Sequence, residues 1–333
     1  MRCETLAARH SGQAGSESVL SSGPELLHRR YNSGLKLRQR FGEVAMSEVR
    51  ADRPVPGWAA GIIAALSRDR PPVVSRGMLA DYIARAGEQH SVDRVASDLQ
   101  QLGWLGTLHL KGLWSFVPAG EVEVIDPYLD LRGWRLRDDA TFALAGEAAA
   151  WHLGYLPRRF TGAVSVWVPA GDKLPHGLRS HFRVVRLGWT EALAPKLGPG
   201  TRLLRAKGLD LTRWAGGLPG LGPEALLIQI AARPGSFRAW ADLIPRLESL
   251  AVDCGVDRVV ELMDGFSASA WQRAAYLVDR GGVSEKAKEL MARRPTPEMP
   301  AARLGDGPTS VWSNEFGVND RLVAPLQDRL GKS

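Results

Sequence analysis

The polar residues between Ser91 and Gln101 have the types and the spacing that a helix needs to read DNA bases. The segment SVDRVASDLQQLG carries apolar residues at helical spacing, and its opposite face shows Ser91, Arg94, Ser97, Asp98 and Gln101. Arginine can fork onto guanine, glutamine onto adenine, and serine can reach a base or a phosphate. We therefore predict a helix that enters a major groove and contacts DNA with these side chains. An ordinary solvated helix face is the alternative.

A short ribbon follows this helix almost without a loop. The runs WLGTLHL and LWSFVP alternate and meet at a Lys-Gly pair, which predicts two strands and a tight hairpin. His109 and Lys111 lie near its tip, where a ribbon can reach phosphates or a neighbouring minor groove. We expect Trp104, Trp114 and Phe116 to be core residues beneath the helices rather than a platform for stacked bases.

The residues before Ser91 supply the elements that must position this helix and ribbon. GWAAGIIAALSRD predicts an amphipathic helix, PPVVS a short extended piece, and SRGMLADYIARAG a second helix. Helix, short strand, helix, helix and hairpin is the order of a winged helix-turn-helix. The further candidates for DNA contacts in this part are Arg68, Arg70, Ser75 and Arg76.

The charge distribution gives the winged helix little electrostatic help. The chain has 333 residues and a formal net charge of +7, which favours an acidic partner such as nucleic acid or an acidic protein surface. Residues 54–118, however, hold six basic and five acidic residues. Phosphate neutralisation supplies most non-specific DNA affinity. Two ways to bind phosphates remain open. The second domain and the N-terminal arm contribute positive charge, or the basic residues of the winged helix converge on one face: Arg68, Arg70, Arg76, Arg94 and Lys111.

Most of the excess positive charge lies in a later segment. Residues 156–213 contain eleven Lys or Arg against three acids. The segment is interpreted either as a solvated strand face or as a surface that docks an acidic partner. The candidate partner-binding residues are Arg158, Arg159, Arg179, Arg183, Arg186, Arg205 and Lys207. Arg183 and Arg186 are an odd number apart in an apparent strand, so they are expected on opposite faces.

Catalytic and metal-binding patterns are missing from the sequence. It has no nucleophile-elbow, P-loop, zincin or dinucleotide-binding motif, and no two histidines have metal-binding helical spacing. His152 lies in an apolar helix and is expected to be structural. We predict a protein that is not an enzyme and needs no cofactor or metal. Two distant cysteines and the lack of a long apolar run predict a cytoplasmic protein without a membrane span.

The overall pattern predicts an α+β chain: an N-terminal winged helix-turn-helix followed by a larger mixed domain, a small β-sheet plus a helical bundle. Residues 1–53 are rich in small polar residues and form the expected N-terminal arm. We expect residues 1–45 to be either disordered or the product of a mis-assigned start. Residues 54–120 form the predicted DNA-binding domain. Residues 121–333 form the mixed α/β domain, with one helix over DDATFALAGEAAAWHLGYLP, strands at AVSVWVPA and HFRVVRLGW, and mostly helices from residue 222 onward.

Several stretches, in this order, resemble the AbiEi family of antitoxins from type IV toxin–antitoxin systems, most closely its mycobacterial-type members. The winged helix reads GWAAGIIAALSRDRPPVVSRGMLADYIARAG and LGWLGTLHLKGLWSFVPAGE. The second domain reads LAGEAAAWHLGYLPRR, VSVWVPAGDKLPHGL, LGPEALLIQIAARPGSFRAWADLIPRLESLA and SASAWQRAAYLVDRGG. The resemblance covers about residues 54–330.

The resemblance implies an antitoxin that also represses its own operon. Its winged helix would bind inverted repeats upstream of its gene, often cooperatively, and a monomer that binds in this way is one expectation. Its functional partner would be a nucleotidyltransferase-like toxin of the AbiEii kind, without need of a stable complex. The DNA-contacting role maps onto Ser91, Arg94, Ser97, Gln101, His109 and Lys111. A different class of function stays open: an adaptor that does not bind DNA and neutralises a partner by direct contact.

Overall fold

The protein is described from a computed structural model. The structure describes residues 53–137, 140, 142–169, 173–187, 212–213 (backbone only) and 218–331. The expected N-terminal arm lies outside these residues, as do two of the candidate partner-binding residues, Arg205 and Lys207.

Residues 57–117 form a small unit of three helices and one sheet. After a 3-10 turn at Gly57–Ala59, its elements are α1 (Ala60–Asp69), β1 (Val74–Ser75), α2 (Arg76–Arg85), α3 (Val92–Gln101), β2 (Leu105–Thr107) and β3 (Leu113–Phe116). The strands pair antiparallel in the order β1-β3-β2. This is the predicted order of elements.

Local sequence explains why these helices begin and end where they do. Ser75 and Ser91 are extended residues whose hydroxyl oxygens accept from the N–H groups of Met78 and Arg94, so each caps its helix. Gly103 adopts a positive φ directly after α3, which ends the helix as predicted. The aromatic residues Trp104 and Phe116 stack with ring centroids 6.5 Å apart in the core of this unit. Their predicted packing role is confirmed.

The ribbon departs from a simple tight hairpin. Gly112 has a positive φ and Leu113 donates to the carbonyl of Leu110 at 3.3 Å, so the turn lies where the Lys-Gly pair predicts it. The strand ladder nevertheless ends at Thr107 and Trp114. The predicted continuation of the first strand to Leu110 is therefore wrong, because Leu108 and Leu110 leave the sheet and enter the core of the following domain.

The larger part of the chain is built on a five-stranded mixed sheet. Its strands are β4 (Ala143–Leu144), β5 (Val164–Trp167), β6 (Phe182–Val185), β7 (Thr212–Arg213) and β8 (Pro219–Gly220), in the order β6-β5-β4-β8-β7. Two short helices belong to this region: α4 (Leu129–Arg135) and α5 (Gly146–His152). The two strands predicted around residues 164–167 and 182–185 are confirmed, and they pair in parallel.

The helix predicted from residue 138 to Gly154 or just after begins too early, although its predicted end agrees with the positive φ of Gly154. Ala145 is extended and Gly146 has φ +55, so the chain passes from β4 into α5 at this point. The Gly146 N–H donates to Oε1 of buried Gln229 at 2.8 Å, a contact that a continuous helix would not leave available. An apolar alanine-rich segment does not distinguish a buried strand from a helix by its periodicity, because every position is buried.

A helical region and a small sheet complete the fold. The helices are α6 (Pro223–Ala232), α7 (Trp240–Leu243), α8 (Leu247–Asp253), α9 (Val256–Leu262), α10 (Ala268–Arg280), α11 (Ser284–Ala292) and α12 (Val323–Leu330). The strands β9 (Ala302–Leu304), β10 (Val311–Ser313) and β11 (Val318–Asp320) pair in the order β10-β11-β9. The architecture is therefore mixed α+β, as predicted, and the last sheet is an addition that the sequence did not predict.

Candidate nucleic-acid interface

Helix α3 presents a polar face to solvent. Val95, Ala96 and Leu99 are buried on its other side, which fixes the orientation of the helix on the core. The exposed residues of the helix and its cap are Ser91, Asp93, Arg94, Ser97 and Gln101. The four residues predicted to contact bases therefore lie together on one exposed face. Asp93, an acid that was not among the predicted contacts, is exposed on the same helix.

Arg76, Asp93 and Lys111 form a charged cluster where α2, α3 and the ribbon meet. The two terminal nitrogens of Arg76 bond the two carboxylate oxygens of Asp93, with Nη2 2.9 Å from Oδ2. The Arg76 N–H donates to the carbonyl of Gly112 at 3.0 Å, which ties the start of α2 to the turn of the ribbon. The hydrogen bond from Arg76 lowers the pKa of Asp93, and the charges of Arg76 and Lys111 lower it further. Both cations therefore lie close to one carboxylate.

A second ion pair lies along the same helix. Nε of Arg94 is 3.8 Å from Oδ2 of Asp98, one turn further on, and the Arg94 side chain is 69% exposed. An exposed pair of this kind contributes little to stability, so Arg94 is free to exchange its partner for a base or a phosphate. Two acids thus face the two arginines of this surface, which leaves its net charge small.

Arg68 and Arg70 lie apart from the Arg76–Lys111 cluster. Nε of Arg68 pairs with Asp69 at 3.1 Å, and Asp69 also accepts from the hydroxyl of Tyr82 at 3.0 Å. Tyr82 is six residues beyond Arg76 on α2, or about 9 Å along the helix axis. Arg70 ends α1 in the left-handed conformation with φ 43 and is exposed. The structure therefore separates the predicted phosphate contacts into two groups rather than gathering them on one face.

His109 is held by the second domain. Its N–H donates to Oδ1 of Asp130 at 2.9 Å, and its Nδ1 lies 2.8 Å from Oδ2 of the same carboxylate. Its ring lies against that of His181, with centroids 3.6 Å apart. Both ribbon residues predicted to contact DNA, His109 and Lys111, are exposed, but His109 is already bound by Asp130 at Nδ1 and at its backbone N–H.

The packing around His109 joins the ribbon to the larger domain. A Cβ added to Gly133 of α4 would lie 3.1 Å from Leu113, 3.3 Å from Leu108 and 3.7 Å from Leu110, so the absence of a side chain there admits the ribbon. A Cβ on Gly177 would lie 1.9 Å from the carbonyl oxygen of His109. Gly133 and Gly177 of the larger domain therefore leave the space that the ribbon occupies, because a side chain at either position would collide with it.

The candidate partner-binding arginines fall into two classes. Arg158 and Arg159 are exposed and line a cleft of about 270 Å³ together with Phe160, Thr161 and Asp242. Arg179 is also exposed and donates to the carbonyl of Leu174 at 3.2 Å. These three are available to a partner.

Arg183 of β6 and Arg186, the residue after this strand, both direct their guanidinium groups to internal partners. Arg183 lies with Nη2 3.8 Å from Oε1 of buried Glu147, and Arg186 donates to the carbonyls of Val168 and Pro169. Because both guanidinium groups serve internal contacts, Arg183 and Arg186 do not belong to an open docking surface.

The described residues offer no sign of metal or thiol chemistry. Among them, no group of three or more His, Cys, Asp or Glu side chains could hold a metal ion. Cys254 is buried, and this burial raises the pKa of its thiol, which disfavours the reactive thiolate. His152 also has a lowered pKa because of burial, as suits a structural histidine. Within the described part of the chain, no helix is both long and apolar enough to cross a membrane.

Sequence reasoning missed Asp93, Asp130 and His181. An acid in the first turn is expected at any helix start, so Asp93 carried no separate signal. Asp130 and His181 lie 21 and 72 residues from His109, and no local pattern connects them to it.

The chain is similar to known proteins over most of its length. The family model of the AbiEi antitoxin C-terminal domain matches residues 142–280. The crystal structure of the RV2827C protein from Mycobacterium tuberculosis is 45% identical, with a TM-score of 0.75, and the match covers 85% of this chain and 98% of that chain. No curated protein matches.

These matches agree with the resemblance seen in the sequence motifs. The matched family is one of antitoxins of toxin–antitoxin systems and is not a known enzyme family. With a relative at this identity covered almost end to end, the chain belongs to the AbiEi antitoxin family.

Proposed function

We propose that this antitoxin is a DNA-binding transcriptional autorepressor, with residues 54–120 as a winged helix-turn-helix and residues 121–333 as the antitoxin domain. The observation that carries the proposal is the exposed face of α3, which places Ser91, Arg94, Ser97 and Gln101 side by side. These are the side chains that make directed hydrogen bonds to base edges. The toxin partner is proposed to be an AbiEii-type nucleotidyltransferase.

In the proposed mechanism, α3 lies in the major groove of an inverted repeat upstream of the gene. Arg94 and Gln101 read bases, Ser91 and Ser97 contact bases or phosphates, and Lys111 and Arg76 hold the phosphates that flank the groove. Arg68 and Arg70 would contact DNA only if it extends past the far end of α2. His109 is left out, because its imidazole and its N–H are both bound to Asp130.

The proposal is tested by a gel shift with the DNA upstream of the gene and a shuffled fragment of the same composition, at several salt concentrations. We expect selective, salt-sensitive retardation of the upstream fragment, since phosphate contacts release counterions. No retardation even at low salt would overturn the proposal.

A second candidate function is an adaptor that neutralises a partner by direct contact. It is favoured by the two acids on the α3 face, which lower its charge, and by the open arginines of the 158–159 cleft. Under this hypothesis Arg158, Arg159 and Arg179 bind an acidic surface of the toxin. Co-purification of the toxin with the wild-type chain, and its loss on replacing Arg158 and Arg159 by glutamate, would support the adaptor.

A further inference from the structure

Asp93 is an unexpected side chain on a surface meant for DNA. Its carboxylate is exposed, it follows the capping residue of α3 by two positions, and phosphate groups would repel it. An acid in the first turn also stabilises a helix start, but that role needs no particular partner. Here the carboxylate binds Arg76 end to end, with both oxygens engaged. A side chain placed so specifically calls for a role in recognition.

The cluster connects the three elements that would touch DNA. Arg76 begins α2, Asp93 lies in the first turn of α3, and Lys111 stands at the turn of the ribbon. The Arg76 N–H donates to the carbonyl of Gly112, the residue after Lys111, so the start of α2 is held against the turn of the ribbon. The Asp93 carboxylate is paired directly with Arg76, which is thereby partly withheld from any phosphate nearby, and the charge of Lys111 acts on the same carboxylate from the ribbon.

We propose that Asp93 is a specificity-determining residue, which suppresses binding to unrelated DNA and accepts a hydrogen bond from a cytosine amino group at the matched site. On unrelated DNA the carboxylate meets no donor and remains paired with Arg76, so the cations contribute little affinity. At the matched site the amino group takes over part of the carboxylate, and Arg76 and Lys111 turn to phosphates. Aspartate accepting from cytosine N4 is one of the few pairings an acid can make in a major groove. Discrimination by a group that penalises the wrong partner is a general device of specific interfaces.

The test rests on the proposed function and compares Asp93→Asn with Asp81→Asn. Asp81 is an exposed acid on α2 whose carboxylate has no ion pair among the described residues, so the control makes the same change in net charge. Both variants and the wild type are titrated with the upstream fragment and the shuffled fragment across a salt series.

We expect Asp93→Asn to bind the shuffled fragment about three- to tenfold more tightly than the wild type does. The slope of log K against log salt concentration should become more negative by about 1–2, because one or two cations are released to phosphates. The ratio of upstream to shuffled affinity should fall at least about fivefold, and the preference for one C·G pair in a base-substitution scan should weaken, because the amide oxygen of Asn is a neutral and weaker acceptor for the cytosine amino group. Asp81→Asn should change both affinities alike and leave the ratio in place.

Three results separate the possible failures. If the wild type binds neither fragment selectively, the proposed function itself falls. If the wild type is selective but Asp93→Asn keeps the wild-type ratio, Asp93 does not determine specificity. If Asp93→Asn lowers the thermal midpoint and nothing else, the acid serves only the helix start. Asp93→Glu keeps the charge but displaces it, and it should retain weak binding to the shuffled fragment while losing the C·G preference.

Discussion

The carboxylate of Asp130 binds His109 twice, once at the backbone N–H (2.9 Å) and once at Nδ1 (2.8 Å). The Asp130 side chain is only 14% exposed, which makes the contact stronger than one at an open surface. A residue near the tip of a ribbon proposed to touch DNA is thereby held by the larger domain that follows it.

Replacing Asp130 by Ala should therefore loosen the ribbon and destabilise the fold. Loss of two charge-assisted bonds predicts a decrease of about 1–3 kcal/mol in the free energy of unfolding. Urea denaturation measures it, with Glu123→Ala as the control, because Glu123 is an exposed acid of the same region without a described ion pair. Equal stabilities of the two variants would contradict a structural role for the contact.

Gly177→Ala should also weaken this junction. The new Cβ would lie 1.9 Å from the carbonyl oxygen of His109, so backbone must move, and overpacking of this kind costs about 1–3 kcal/mol or more. Gly235→Ala is the matched control, since a Cβ there meets nothing within 4 Å. Thermal unfolding of both variants decides the prediction. A Gly177→Ala protein as stable as the control would show that the ribbon adjusts freely.

Arg94→Ala should reduce selective DNA binding. Loss of one good bidentate base contact costs about 1–3 kcal/mol at the matched site and relaxes the preference at one base pair. Arg85→Ala serves as the control, because Arg85 is an exposed arginine near Asp69, away from the polar face of α3. Affinities come from fluorescence anisotropy at fixed salt. Unchanged selectivity would remove α3 from the proposed interface.

Alkaline pH should destabilise the protein through two tyrosines. Burial and neighbouring carboxylates raise the pKa of Tyr155, bonded to Asp253 at 2.6 Å, and of Tyr276, bonded to Asp320 at 2.8 Å. The fold favours the neutral phenol, so this stabilisation is complete below the ordinary tyrosine pKa of about 10 and is lost as pH rises above it. Tyr276→Phe should cost about 1–2 kcal/mol at pH 7. In urea denaturation above pH 10, the free energy of unfolding of Tyr276→Phe should fall less steeply with pH than that of the wild type. An equally steep fall would exclude Tyr276 as a cause of the alkaline destabilisation.

Arg183→Ala should act on stability and not on partner binding. It would leave Glu147, which is 1% exposed, without its cation, although the carboxylate still accepts from the Ser165 hydroxyl and the Arg238 N–H, so we expect a loss of about 1–3 kcal/mol. Arg159→Ala, at an exposed arginine of the cleft, should stay within about 0.5 kcal/mol of the wild type. Calorimetric unfolding compares them. An Arg183→Ala protein as stable as the Arg159→Ala protein would contradict the internal role of Arg183.

Local pattern was sufficient for the helices of the N-terminal unit, but not for the end of β2, because Leu108 and Leu110 pack in the core of the following domain. The apolar spacing of α3, its serine cap and the glycine after it lie within a dozen residues, so the helix and its polar face could be predicted from the sequence alone. The same holds for β5 and β6, whose alternation is short-range. The prediction failed at β4, where complete burial removes the contrast between apolar and polar positions on which periodicity depends.

The contacts that give these elements their roles were decided by the tertiary structure. Asp93 meets Arg76 across 17 residues, and His109 meets Asp130 across 21, through packing of separate elements that no local pattern records. Arg183 and Arg159 are chemically alike in the sequence, yet one balances a buried carboxylate and the other lines an open cleft. The sequence by itself determined the helices, their caps and the family motifs. The fold decided which charges are paired and which are free, because burial and distance between elements depend on the whole chain.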